Sequence, residues 1–134
     1  MENIRIVSQN RFCYVSGRKH EYFDVIADTE RFGKNAIMCQ GTFKECIAYL
    51  ERNGVDYLEE CMKRNRGRDI QVSFRMYKVL VETKEGFLLR SRDGFEKLLR
   101  FSDMTPIAPN TFKIAHDLFG RNAATVKMGE ARNW

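Results

Sequence analysis

The sequence lacks the features that mark a membrane protein, a secreted protein or a disordered chain. No apolar run approaches the roughly 18 residues that a membrane helix needs. The segment Met1 to Arg5 has neither the basic nor the apolar region of a signal peptide. Only two prolines occur in 134 residues. We therefore expect an ordered cytoplasmic protein with no membrane partner.

Motifs that carry catalysis or bind metals are also missing from the sequence. No P-loop, GxGxxG, GxSxG or HExxH motif is present. The four cysteines form no CxxC pair and lie at no short spacing from either histidine. They are Cys13, Cys39, Cys46 and Cys61. We predict small buried thiols, no cofactor, no metal and no catalytic residue, with an enzyme of unfamiliar site as an alternative.

Two stretches of the chain share one layout, an alternating hairpin followed by a capped amphipathic helix. The stretches are Tyr22 to Arg52 and Tyr77 to Phe101. Thr42 and Glu45 have the spacing of a capping box in the first stretch, and Asp93 and Glu96 have it in the second. The pattern predicts an α+β fold, an antiparallel sheet with helices packed on one face, built from two β-β-α units. Duplication and chance recurrence both explain the similarity.

The domain prediction follows from where regular patterning stops. We expect a single α+β domain over residues 1–120, with a third helical region from Asn110 or Thr111 to about Gly120. Residues 121–134 have weak periodicity, which predicts a loosely ordered C-terminal tail. Between Ile70 and Thr83 the alternation changes parity, which predicts a bulge or two successive strands.

The next strands are predicted to form a hairpin. Lys84 to Gly86 suits a hairpin turn. A three-residue loop there would place Val81 opposite Leu89.

Positive charge is concentrated in the middle of the chain. Residues 1–62 hold 8 basic and 10 acidic side chains, whereas residues 63–100 hold 11 and 5. Arginine outnumbers lysine 14 to 9, which suits planar contacts to phosphate or carboxylate. The predicted anion-binding residues are Lys63, Arg64, Arg66, Arg68, Lys78, Arg90 and Arg92. Arg75 and Arg100 flank this set, and Tyr57 or Tyr77 is expected to stack on bases.

These observations predict a non-enzymatic binding protein whose basic face, residues 63–100, docks on nucleic acid or on an acidic protein surface. An alternative is a small inhibitor or sequestering protein, of the phage or mobile-element type, that acts on a protein or a small ligand. The outer face of the first hairpin is acidic, with Glu21, Asp24 and Asp28. Attraction between this face and the basic face of a second copy predicts a homodimer.

Overall fold

A computed structural model describes residues 1–65 and 69–128 of the chain. Its sheets are antiparallel and it has two helices, α1 (Phe43–Arg52) and α2 (Tyr57–Asn65), which confirms α+β in the broad sense. The strands are β1 (Glu2–Val15), β2 (Arg18–Thr29), β3 (Gly33–Gly41), β4 (Ile70–Val72), β5 (Arg75–Glu82), β6 (Gly86–Arg90), β7 (Glu96–Arg100), β8 (Thr105–Ala108), β9 (Thr111–Ile114) and β10 (Ala124–Lys127). Among these residues, no helix has the length and apolar character needed to cross a membrane.

The chain divides into two compact units, residues 1–60 and 61–134, where the sequence predicts one domain over 1–120. The first unit has a three-stranded sheet in the order β1-β2-β3. Phe23, Val25 and Ala27 alternate along β2, share one face of the strand and are buried. Strand β1 is long but irregular, because its register with β2 shifts where Asn3 and Asn10 take positive φ.

The predicted capping box of α1 is confirmed. The Thr42 hydroxyl accepts the Glu45 N–H at 3.2 Å, and the Glu45 carboxylate accepts the Thr42 N–H at 3.0 Å. The Thr42 N–H holds the pKa of Glu45 below its usual value. The Phe43 ring meets the Phe23 ring edge to face at 5.6 Å, so the first turn of α1 contacts β2.

The second unit has a seven-stranded sheet in the order β7-β6-β5-β4-β10-β9-β8. The parity change predicted between Ile70 and Thr83 is confirmed as two strands, β4 and β5, joined by a tight turn. Val72 pairs with Arg75, which leaves only Ser73 and Phe74 between the strands. Ser73 has a φ of 54°, as tight hairpin turns require.

The helix predicted in the second stretch is wrong, because Glu96–Arg100 is strand β7. Gly94 has a φ of 86°, and its N–H donates to the Ser91 carbonyl. An Asp-Gly pair between apolar segments favours a hairpin turn, and here that preference prevails over the capping-box spacing. Phe95 donates its N–H to the Ser91 hydroxyl at 3.0 Å, which closes the turn. The second stretch is therefore a β-meander, whereas the first keeps the predicted β-β-α order in β2, β3 and α1.

The third helical region is wrong as well, because Thr111–Ile114 is strand β9. Phe112 and Ile114 are buried at period two, the spacing of a strand. In the segment predicted as a loose tail, Ala124–Lys127 is strand β10 and lies between β4 and β9. Alternate burial of Ala124 and Val126 accounts for its place in the sheet. Residues 129–134 lie outside the described part of the chain.

Substitution of Gly86 tests how tightly β6 and β7 are packed. It pairs with Arg100, and a Cβ atom at position 86 would lie 2.0 Å from the Leu99 carbonyl oxygen. We expect Gly86→Ala to lower the free energy of unfolding by about 1–3 kcal/mol, because backbone must move to admit the methyl group. Urea unfolding would measure this. The control is Lys84→Ala, at an exposed position in the turn that precedes β6, expected to change stability by less than about 0.5 kcal/mol. Equal stability of the two variants would contradict the packing.

Candidate anion-binding groove

The candidate site lies on the solvent-facing side of β5 and β6. Side chains alternate between the two faces of a strand, so burial of one set exposes the next. Tyr77 and Leu89 are buried on the core side. Met76, Lys78 and Arg90 therefore face solvent together, and all three are exposed.

These exposed side chains line a groove of about 700 Å³. Its lining residues are Asp69, Arg75, Met76, Lys78, Arg90, Ser91, Arg92 and Asp93. Four of them are cationic and two are carboxylates. The groove therefore has a local excess of positive charge, which suits an anionic ligand.

The pairing of β5 with β6 brings two cations directly opposite each other. Lys78 pairs with Arg90, and Glu96 of β7 pairs with Arg90 on its other side. The predicted hairpin register is wrong, because Val81 faces Leu88 after a register shift. Such a bulge leaves one residue of β5 unpaired and displaces the strands beyond it by one position. Like charges directly opposite each other destabilise a sheet, so we expect the Lys78–Arg90 pair to cost stability, which Glu96 on the other side of Arg90 offsets in part.

Aromatic rings border the groove beside Arg75. Phe95 and Phe119 stack with their ring centres 5.0 Å apart, and both are partly exposed. The Arg75 guanidinium carbon lies 5.2 Å from the centre of the Phe119 ring, and that of Arg121 lies 4.9 Å away. Phe74, next to Arg75 in the β4–β5 turn, is 97% exposed.

A loop carboxylate holds Phe119 in this position. The Asp117 carboxylate accepts the Phe119 N–H at 2.9 Å and the Arg121 N–H at 3.0 Å. The Arg121 N–H is the main cause that lowers the pKa of Asp117, and the Phe119 N–H adds to it. The loop is therefore fixed by a charged acceptor at neutral pH.

The predicted site residues divide between this groove and other places. Lys78, Arg90 and Arg92 line the groove, whereas Lys63 and Arg64 lie in the last turn of α2 and are not part of its lining. Arg64 donates to the Asn110 side-chain oxygen at 3.0 Å. Arg66 and Arg68 lie outside the described residues.

The prediction that Tyr57 or Tyr77 stacks on bases is wrong, because neither ring is exposed. Tyr57 and Tyr77 are only 4% and 2% exposed, so both are core residues. The residues missed are Asp69, Phe74, Phe95 and Phe119. The sequence did indicate that Phe74 is exposed. It lies where the alternation changes parity, which marks a turn, and a residue in a two-residue turn faces solvent.

Two carboxylates of the predicted acidic face accept hydrogen bonds within their own sheet. Asp24 accepts the side-chain amides of Gln9 at 2.7 Å and Gln40 at 3.0 Å. Asp28 accepts the Asn35 N–H at 2.9 Å, which lowers its pKa. These hydrogen bonds do not test pairing with a second copy, so the homodimer stays a prediction.

None of the four cysteines lines the groove. Cys46 and Cys61 are buried as predicted, whereas Cys13 and Cys39 are only half-buried. Burial raises the pKa of the Cys46 thiol to about 12, so it is un-ionised at neutral pH. Across residues 1–65 and 69–128, no group of three or more His, Cys, Asp or Glu side chains could hold a metal ion.

Comparisons with protein-family models, with curated proteins and with solved structures find no match for this chain. No relative therefore assigns a ligand to the groove. The functional argument rests on the charges and rings described above.

The opposed cations give a stability prediction for the groove. We expect Lys78→Gln to raise the free energy of unfolding by about 0.2–1 kcal/mol in low salt, because it removes a like-charge pair. The gain should shrink in about 0.5 M NaCl, because added salt screens the interaction between exposed charges. The control is Lys127→Gln, whose strand partners Thr111 and Gln71 are uncharged. A Lys78→Gln variant less stable than wild type at low salt would show that the repulsion is absent.

Proposed function

We propose that this protein is a non-enzymatic nucleic-acid-binding protein that holds a single strand in the groove of the seven-stranded sheet. The observation that supports this most is the convergence of four cationic side chains on one groove. They are Arg75, Lys78, Arg90 and Arg92. A binding site for a phosphate backbone needs such a row of cations, since backbone contacts provide most of the affinity.

The arginines suit phosphate in particular. A guanidinium presents a planar fork of N–H donors that can bind two phosphate oxygens at once. Lys78 adds a compact charge opposite Arg90. A phosphate above this pair would be attracted by both cations and would screen their mutual repulsion.

The exposed rings favour a single strand over a duplex. Proteins that bind single strands combine a positive groove with aromatic side chains on which unpaired bases stack. Phe74 is almost wholly exposed and precedes Arg75 in the chain, and the Arg75 guanidinium lies over the Phe119 ring, which stacks on Phe95. A paired and stacked base would offer these rings no free face.

The other two functions predicted from the sequence have weaker support in the groove. The eight lining residues include no histidine or cysteine, and the Ser91 hydroxyl accepts the Phe95 N–H. An acidic protein surface would use the cations but leave the rings without a role. No feature of the described residues favours an inhibitor of a particular target.

Fluorescence anisotropy with labelled single- and double-stranded oligonucleotides tests the proposal. Contacts from all four groove cations to a single strand correspond to a log–log salt slope of about −3. Affinity for the single strand should then fall roughly 50-fold between about 50 and 200 mM salt. Tighter binding to the duplex would contradict the single-strand assignment. No binding to either form at low salt would remove nucleic acid as the ligand.

Charge reversal at the groove should weaken binding. We expect Arg90→Glu/Arg92→Glu to lower single-strand affinity at least about tenfold and to reduce the salt slope by about 1.4, because two phosphate contacts are lost. The control is Lys34→Glu/Lys44→Glu, which changes net charge equally at exposed positions of the first unit. Equal losses in the two variants would mean that net charge, and not the groove, determines affinity.

Removal of the exposed Phe74 ring should lower the affinity for a single strand without lowering the stability of the fold. We expect Phe74→Ala to weaken single-strand binding by about 1–3 kcal/mol, the value of one base–aromatic stack. The free energy of unfolding should stay within about 0.5 kcal/mol, because the ring is 97% exposed and buries almost nothing.

The matched control for Phe74→Ala is Phe32→Ala, which removes another exposed ring that lies near an arginine. Titration and urea unfolding of both variants give the two readouts. Unchanged binding by Phe74→Ala would remove this ring from the site.

A further inference from the structure

The turn between β6 and β7 is closed by three hydrogen bonds. The Gly94 N–H donates to the Ser91 carbonyl at 3.0 Å, and the Ser91 N–H donates to the Phe95 carbonyl at 2.8 Å. The Phe95 N–H donates to the Ser91 hydroxyl at 3.0 Å. Asp93, the residue before Gly94, is therefore carried on a turn whose backbone is fixed in the free protein. A side chain held in this way loses little backbone freedom when it binds a ligand.

A cation, a carboxylate and an aromatic ring meet at this turn. A Cβ atom at position 94 would lie 3.9 Å from Nη2 of Arg90, so the Arg90 guanidinium reaches the turn. Asp93 and Phe95 are the two neighbours of Gly94 in the chain, and Asp93 lines the groove together with Arg90. The Phe95 ring stacks on Phe119, and Phe95 is still 38% exposed. Groups for three kinds of contact to a nucleotide therefore lie at one turn.

The Asp93 carboxylate has no partner among the described residues. Within residues 1–65 and 69–128 it accepts no hydrogen bond and forms no salt bridge, although four cationic side chains line the same groove. Phosphate binding gives it no role, because a carboxylate repels phosphate and weakens the field of the neighbouring cations. The base is the other charged-group partner that a nucleotide offers, since bases carry N–H donors that a carboxylate accepts.

The Watson–Crick edge of guanine is the base edge that matches a carboxylate. It presents two adjacent donors, N1–H and the N2 amino group, which the two oxygens of a carboxylate can accept side by side. Adenine and cytosine present one amino group next to a ring nitrogen that repels a carboxylate oxygen. Thymine and uracil present one N–H between two carbonyl oxygens. The unpaired bases of a single strand leave this edge free for a protein to contact.

We propose that Asp93 makes the groove selective for guanine, by accepting N1–H and one N2 hydrogen of a base that stacks on Phe95 while Arg90 binds the adjoining phosphate. The inference rests on the proposed function and adds base specificity to it. A carboxylate that only reduced the positive charge of the groove would have no base preference. Asp69 lines the same groove and has the same charge, so it is the matched control for Asp93.

The first test needs only the wild-type protein. Single-stranded probes of about 8 nucleotides, a length that one binding module covers, are titrated at about 50 mM salt. In each probe thymidine alternates with guanosine, inosine, adenosine or cytidine. Inosine keeps N1–H but lacks the N2 amino group, so it removes one of the two hydrogen bonds to the carboxylate. We expect the guanosine probe to bind at least about fivefold more tightly than each of the other three.

The four titrations distinguish failure of the base specificity from failure of the proposed function. Equal affinity for the guanosine and inosine probes overturns the inference and leaves nucleic-acid binding in place. Tighter binding of the adenosine or cytidine probe than of the guanosine probe also overturns it. No binding to any of the four probes overturns both the inference and the proposed function.

Variants at the two carboxylates separate base recognition from charge. We expect Asp93→Ala to bind the adenosine probe roughly two- to fivefold more tightly than wild type, because a charge that repels phosphate is removed. The same variant should bind the guanosine and inosine probes within about twofold of each other. Asp69→Ala should gain affinity for every probe and keep the guanine preference. A preference that Asp93→Ala keeps overturns the inference, as does one that Asp69→Ala alone loses.

A modified base shows which edge of guanine the protein contacts. An arginine of the groove could also select guanine, through O6 and N7 on the other edge of the base. 7-Deazaguanine lacks N7 but keeps both donors of the Watson–Crick edge. We expect a probe with 7-deazaguanine to bind wild type within about twofold of the guanosine probe. Affinity that falls to that of the adenosine probe overturns the role of Asp93 and assigns the preference to an arginine.

Discussion

The period-two alternation of side chains is the constraint on which the rest of the second unit depends. Tyr77 and Leu89 are buried in the core, so Lys78 and Arg90 must lie on the opposite face of the same strands. A slip of one residue would exchange the faces and place cations in the core. The tight Ser73–Phe74 turn fixes the register of β4 with β5 by pairing Val72 with Arg75. Core packing therefore sets the positions of the cations, although the cations contribute nothing to the core.

Two features of the groove do not favour folding of the free protein, and ligand binding would make both favourable. Lys78 and Arg90 are opposite each other on adjacent strands, where like charges are expected to repel, and the Phe74 ring is exposed to water. Neither feature stabilises the folded chain. Both become favourable in the proposed complex, where phosphates lie between cations and bases cover rings.

Local signals in the sequence predicted much of the fold but failed where two of them competed. The Thr42–Glu45 capping box gave helix α1 because an amphipathic stripe with Cys46 and Leu50 follows it. The same spacing at Asp93 gave no helix, because the Asp93-Gly94 pair turns the chain into β7, which pairs along its length with β6. Strand β10 was not predicted. It has only four residues, and it becomes buried by pairing with β4 and β9, which lie outside the segment itself. Sheet pairing of that kind depends on contacts that a local window does not contain.

The sequence predicted several of the cations in the candidate site but none of its aromatic rings. Lys78, Arg90 and Arg92 were identified by their density in the sequence, and the fold brings Arg75 to them. The rings were missed because Phe95 and Phe119 meet only after the chain folds. The most direct measurement is amide chemical-shift mapping of the wild-type protein by NMR during titration with a single-stranded oligonucleotide. The account predicts large shifts across residues 74–78 and 90–95. Saturable binding that leaves both segments unshifted would contradict it.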